Sequence, residues 1–221
     1  MIKIVKKVEP KSLTAYKKQP DATFNGMPAL VKNDLRQQLL EEQGYLCAYC
    51  MTRIPNDRCP PNNEFKMKIE HWHCQSNYPE DQLNYKNLLA VCCGNEGQSF
   101  DQHCDTRKGN SDLKYNPANP ADEVEDKIEY YSFDGSIFSK DREFNEQLSL
   151  VLNLNHARFK RNRKSVLDSV QAVLNHRPGK RTLKEIEGYI ANWKKTGING
   201  ELKEYCGIAI YYLYKKLHKS E

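Results

Sequence analysis

The chain has 221 residues, 38% of them apolar, which suffices for one large domain or two small ones with cores of their own. Its 34 basic and 29 acidic residues leave a formal net charge of +5, compatible with a polyanionic partner but too mild to identify one. No apolar run approaches membrane-spanning length, and the charges in Met1-Ile-Lys-Ile-Val-Lys-Lys7 exclude a signal-type apolar region, so a cytoplasmic protein is expected.

In chain order, Ile2 to Val8 reads as a strand, and Val31, Leu35 and Leu39 form the stripe of an amphipathic helix that Gly44 stops. From Cys47 to about Asn110 the sequence is rich in Cys, His, Asn, Gly and Pro and lacks helical periodicity, as expected of a small domain held by a metal instead of apolar volume. The linker Asn116-Pro-Ala-Asn-Pro120 closes it, giving an expected division into residues 1–115 and 116–221. Asp134-Gly135 between Ile128 and Phe138 predicts a hairpin. Helical patterns follow, one through Phe144, Leu148, Val151 and Leu152, another through Phe159, Val166, Leu167, Val170 and Leu174, separated by a break at Asn153 to Asn155. Thr182 and Glu185 form a capping box ahead of Leu183, Ile186, Ile190 and Trp193. The last element, Leu202 to Leu217, is apolar nearly all round and carries Tyr205, Tyr211, Tyr212 and Tyr214. It must be buried, either as support for the metal domain or as a surface that docks a partner. Charge is uneven: Arg158, Lys160, Arg161, Arg163 and Lys164 concentrate positive charge, whereas Asp122, Glu123, Glu125, Asp126 and Glu129 concentrate negative charge.

Eight cysteines in a reducing compartment point to metal ligation before disulfides. Cys47-Ala-Tyr-Cys50 has the spacing of a metal knuckle, whose tight turn brings two sulfurs onto one tetrahedral ion. The second pair is Cys92 with Cys104, since adjacent Cys92 and Cys93 are poorly placed to share an ion. Cys93, His73, His103 and Cys59 are the alternatives for one position. A structural zinc is the expectation. A redox role for Cys47 and Cys50 is disfavoured because the motif follows a helix instead of opening one. Cys206 stands apart and reads as a small core residue.

Between the cysteine pairs lies Met67-Lys-Ile-Glu70-His71-Trp72-His73, followed by Asn87 in Tyr-Lys-Asn-Leu-Leu-Ala, and after the last cysteine Asp105-Thr-Arg-Lys108-Gly109. The order CxxC, Glu-His, Asn, Cys and Cys-Asp-x-x-Lys-Gly resembles the HNH endonuclease superfamily. The resemblance implies an α+β fold, a zinc-stapled ββα-metal domain with a mainly helical C-terminal region. Phosphodiester hydrolysis needs a base to deprotonate water and a cation to carry charge on the leaving oxygen. Carried over to this sequence, His71 is the expected base, with His73 as the alternative. Glu70 and Asp105 are the expected ligands of a Mg²⁺ or Mn²⁺ ion, and Asn87 orients His71 or closes the loop between strands. Because neighbours on a strand face opposite ways, Glu70 and His71 act together only if the strand ends there. Asp105 stands where many members carry His or Asn, and Gly94 to His103 is an insertion. Arg107 and Lys108 are candidate phosphate contacts, with solvated surface as the plainer reading.

Over most of the chain the motifs look like the HNH subunit of the Septu antiphage system (PtuB) and relatives that accompany retrons. That similarity implies DNA cleavage in antiphage defence, within a hetero-oligomer that includes an ABC-type ATPase subunit (PtuA-like). The sequence has no GxxxxGK[ST] loop, so nucleotide hydrolysis is expected of the partner. The rival from another class is a zinc-held nucleic-acid-binding scaffold without catalysis.

Overall fold

The computed structural model describes residues 1–55, 58–59 and 64–218. Its first segment is not the predicted strand. Met1 and Ile4 are buried, and the Ile4 amide donates to the Pro117 carbonyl at 2.8 Å, but Ile2 to Val8 pairs in no ladder. Alternating side chains anchor this stretch without a neighbouring strand to complete it.

Helices α1 (Lys11–Tyr16) and α2 (Ala29–Glu42) follow, and α2 buries Leu35, Leu39 and Leu40. Gly44 has φ +57°, and a Cβ there would lie 2.5 Å from Cγ of Leu202. The glycine therefore turns the chain and also lets residue 202 close over it, with the Leu202 amide donating to the Gly44 carbonyl at 3.0 Å. The short pair β1 (Arg58–Cys59) and β2 (Glu64–Phe65) is antiparallel. Strands β3 (Met67–His71) and β4 (Leu88–Cys92) form a second antiparallel pair, with Ile69 opposite Ala90 and Glu70 opposite Leu89. Leu88, Leu89, Ala90 and Val91 are all fully buried, so β4 is covered on both faces. The five-residue helix α3 (Cys104–Lys108) packs on β4. Two antiparallel strands and a short helix are consistent with the expected ββα unit.

The Asp-Gly signal holds: β5 (Glu129–Tyr130) and β6 (Ile137–Phe138) are antiparallel, and Gly135 has φ +75°. Helix α4 (Arg142–Glu146) runs into a π turn at Gln147–Val151, the chain bends at Asn153, and α5 spans Ala157–Asn175. Helix α6 (Leu183–Lys194) carries the predicted capping box, with Thr182 and Glu185 satisfying each other's backbone amides. Helix α7 is Cys206–Leu217 and starts four residues later than its apolar run. The reason lies in the backbone: Leu202 and Tyr205 donate their amides to Gly44 and Met51, and Tyr205 takes φ +53°, so residues 202–205 clamp the cysteine knuckle instead of winding. Helix α7 then packs on α5 and α6, where Ala209 and Leu213 meet Val170, Ile186 and Ile190. Much of its apolar surface is buried within the chain itself, each fully buried leucine contributing about 2 kcal/mol.

A larger core runs through both halves of the sequence, from Met1 and Leu35 through Leu89 and Cys104 to Phe144, Phe159 and Ile208. The basic run on α5 does not make one cationic face. Arg163 is only 3% exposed, Lys160 pairs with Asp134 at 2.5 Å and Lys164 pairs with Asp168. Among the described residues no helix is long and apolar enough to cross a membrane.

Candidate metal centre and active site

The knuckle is built by a reversal after α2. The Cys47 amide donates to the Thr52 carbonyl at 2.9 Å, Met51 donates back to Cys47 at 3.0 Å, and Met51 takes φ +63°. Ala48 is tied to Ala90 on β4 at 3.0 Å, which sets the knuckle beside Cys92 at that strand's end. From Cys92 the chain leaves as a loop whose ends rejoin, the His103 amide donating to Gly94 at 3.1 Å, and it delivers Cys104 at the start of α3. The inserted residues therefore form an excursion that leaves the ligand spacing in space intact.

The Sγ atoms of Cys47, Cys50, Cys92 and Cys104 all lie within 4.8 Å of one another. Zn–S bonds of about 2.3 Å in a tetrahedron put sulfurs about 3.8 Å apart. The Cys47–Cys104 and Cys50–Cys92 separations are 3.8 Å and 3.7 Å, far outside disulfide length and matched to that edge. The donor set fits a structural zinc. Of the alternatives, Cys93 and His103 stand outside this set, and His73 is elsewhere, stacked between Trp72 and Tyr78 at 4.3 Å and 4.4 Å. The side chain of Cys59 lies outside the described residues. His103 adjoins the thiols as a neighbour: its Nδ1 is 3.2 Å from Cys104 Sγ and its Nε2 accepts from Arg158 at 2.9 Å.

Glu70 and His71 sit where β3 ends, so the face rule for neighbouring strand residues lapses and both are buried. His73, the alternative base, lies beyond the end of β3. The His71 Nε2 is 3.0 Å from the Gln82 carbonyl. A carbonyl only accepts, so Nε2 carries the proton and Nδ1 is left as the basic nitrogen. Burial lowers the His71 pKa from its ordinary value, an effect the Gln82 hydrogen bond opposes and nearby Lys108 reinforces, and the ring stays neutral. Phe24 packs edge-on against it at 4.4 Å.

Asn87 closes the loop after β3, and its hydrogen bonds go to residues other than His71. Its Oδ1 accepts from the His73 amide at 2.7 Å, its Nδ2 donates to the carbonyls of His73 at 3.0 Å and Asp81 at 3.3 Å, and its own carbonyl accepts from Trp72 at 2.9 Å. Of the two roles the sequence allowed, this geometry matches loop closure.

Glu70 and Asp105 lie close enough to influence each other's charge. Glu70 is 4% exposed and also takes the Tyr49 hydroxyl at 3.0 Å and Lys108 Nζ at 3.0 Å. Burial raises the Glu70 pKa well above the usual carboxylate range, the shared contact with Asp105 adds to it, and Lys108 works against it. For Asp105 burial also works upward, but hydrogen bonds from Glu70 and Lys68 outweigh it and hold the group below its usual value. The two carboxyls are thus pushed in opposite directions, Glu70 toward its protonated form and Asp105 toward its ionised form. Lys68 bridges Asp105 and Glu96, each at 2.9 Å. Glu70 and Asp105 supply carboxyl oxygens, each already paired with a lysine, whereas among the described residues it is the four cysteines that lie close enough to share one ion.

Lys108 corrects the sequence reading. It is neither solvated surface nor a phosphate contact, being 2% exposed with Nζ held between Glu70 and the His71 carbonyl, the latter at 3.3 Å. Arg107 stays exposed and binds the Leu150 carbonyl at 2.8 Å. The sequence also passed over Tyr49 and Lys68. Tyr49 stands inside the CxxC motif, and only the fold shows that its hydroxyl crosses to Glu70. For Lys68 a signal existed, since it precedes Glu70 by two residues and on a strand shares its face.

No family model matches the chain. It is similar to an Escherichia coli protein named "Retron Ec83 putative HNH endonuclease". The two are 34% identical over 129 residues, covering 52% of this chain and 48% of that protein. The chain spans about half the length of the curated relative it matches. The likeness supports a place in the HNH superfamily and a nuclease as the class of activity. Mixed helices with small sheets, and a four-cysteine cluster able to hold a metal such as zinc, agree with it.

Proposed function

We propose that the protein is a metal-dependent HNH endonuclease that hydrolyses phosphodiester bonds of DNA. The observation that carries this reading is the meeting, beside a four-thiolate metal set, of a neutral histidine with a fixed tautomer and a buried carboxyl pair. His71 Nδ1 takes a proton from the attacking water, and the Gln82 carbonyl on Nε2 holds the ring in that tautomer as charge develops. Asn87 keeps the loop that carries His71's neighbours closed. Glu70 and Asp105 would hold a Mg²⁺ or Mn²⁺ ion, which supplies Lewis-acid stabilisation of the leaving oxygen. Zinc on the four cysteines serves structure. The Septu-like motifs carry the further reading that the activity belongs to antiphage defence, with an ABC-type ATPase as partner.

One observation favours a second reading: both carboxylates are already paired with lysines, Glu70 with Lys108 and Asp105 with Lys68, as in a zinc-held scaffold that needs no further cation. Cleavage of plasmid and single-stranded DNA, and of RNA, by wild type and His71→Ala separates the two. The assay is run with Mg²⁺ or Mn²⁺, alone and with the candidate ATPase, after zinc is confirmed. Metal-dependent DNA cutting that falls at least ~100-fold in folded His71→Ala supports the nuclease and its base. Nucleic-acid binding without cutting under every condition replaces it with the scaffold.

A further inference from the structure

Four thiolates around one Zn²⁺ leave a net charge of −2, and a buried centre of that charge requires cations or N–H donors close by. Here the donor is His103, oriented by a residue from the other half of the chain. The Arg158 guanidinium, on the first turn of α5, can only donate, so its 2.9 Å contact makes His103 Nε2 an acceptor and puts the ring proton on Nδ1. That Nδ1–H lies 3.2 Å from Cys104 Sγ and 3.8 Å from Cys92 Sγ, a donor aimed at two of the four sulfurs.

The backbone closes the same seam, the Cys104 amide donating to the Leu152 carbonyl at 3.0 Å.

We propose that Arg158, acting through His103, forms the outer shell of the zinc–thiolate centre, so that zinc holds α5 against the ββα unit. Arg158 and His103 are positioning residues for the metal. The coupling is reciprocal: whatever zinc adds to the docking of α5, docking adds to zinc affinity. This inference rests on the cysteine geometry and on nothing in the proposed nuclease reaction.

The test is zinc affinity of the purified full chain, by competition with a chromophoric chelator, with amide exchange in α5 followed before and after zinc withdrawal. Arg158→Ala and His103→Gln are expected to weaken zinc binding about 10- to 100-fold with unchanged far-ultraviolet circular dichroism. His103→Asn, whose Nδ2–H replaces the ring donor, is expected to recover part of that loss. Arg161→Ala, exposed on the same helix, should leave affinity unchanged. Zinc withdrawal should raise exchange in α5 ahead of α6. Unchanged zinc affinity in folded Arg158→Ala and His103→Gln overturns the proposal, as does a wild-type chain that binds no zinc, or α5 exchange indifferent to the metal. None of these outcomes depends on whether DNA is cut.

Discussion

Replacing Lys108 with methionine tests whether the lysine is an internal counter-ion. Methionine keeps most of the buried hydrocarbon, so the loss is confined to the Nζ contacts: the ion pair to Glu70 at 3.0 Å and the hydrogen bond to the His71 carbonyl at 3.3 Å. A hydrogen bond to a charged group contributes ~1.5–3 kcal/mol and a neutral one ~1 kcal/mol. Removing one partner of a buried pair costs ~3–5 kcal/mol when the other stays charged. Glu70 escapes the upper figure because burial and Asp105 already favour its protonated form, so a net loss of ~2–3 kcal/mol is expected. For a chain of this size that is a fall in Tm of roughly 4–12 °C. The pH dependence has a definite sign. A carboxyl whose folded pKa is raised stabilises the fold below its unfolded value and loses that contribution as pH rises through the folded value. Lys108→Met removes the influence that opposed the rise, so the variant's deficit should grow as pH rises above the wild-type folded pKa of Glu70. Thermal unfolding followed by circular dichroism, without added Mg²⁺ or Mn²⁺, measures both quantities. A Tm within ~1 °C of wild type, or a deficit that shrinks with pH, would refute the counter-ion assignment. A double variant with Glu70→Gln should lose less than the sum of the two single changes.

Asn87→Ala removes three side-chain hydrogen bonds that close the loop after β3. It should cost ~2–3 kcal/mol by chemical denaturation and disorder the Trp72–His73–Tyr78 ring stack, visible as changed tryptophan fluorescence. Gly94→Ala meets the His103 carbonyl at 2.2 Å from the new Cβ, at φ +58°, so backbone must move. It is expected to lower zinc retention on dialysis, whereas Gly188→Ala on α6, with open space around its Cβ and no positive φ, is not. Thr182→Ala strips the capping box from α6 and should lower stability by ~1 kcal/mol, a Tm drop of about 2–4 °C, while leaving zinc content untouched.

Chain-local signals read correctly wherever the physics was itself local. The capping box at Thr182, the Asp-Gly turn and the CxxC knuckle each depend on residues within a few positions of one another, and each formed as read. The choice of Cys92 over Cys93 followed from the same kind of constraint, since adjacent residues cannot easily aim two sulfurs at one ion. Failures came where a segment's fate depended on distant partners. Ile2 to Val8 had strand composition but no strand to pair with. The run from Leu202 to Tyr205 gave its amides to Gly44 and Met51 before the helix began.

The same division marks the candidate site. Thiol spacing, the Glu-His pair and the order of motifs are properties of the sequence alone, because metal and proton chemistry dictate residue types at short separations. Which charges are buried, and against what, was decided by tertiary packing. Lys108 reads as a surface lysine until α3 docks on β4 and excludes water around its Nζ. Arg158 and Arg163 read as a basic patch until α5 sets one on His103 and buries the other. Burial is a many-body property of the folded chain. A charged side chain's role is set by the dielectric and the partners that fold supplies, and neither is written in its neighbours along the sequence.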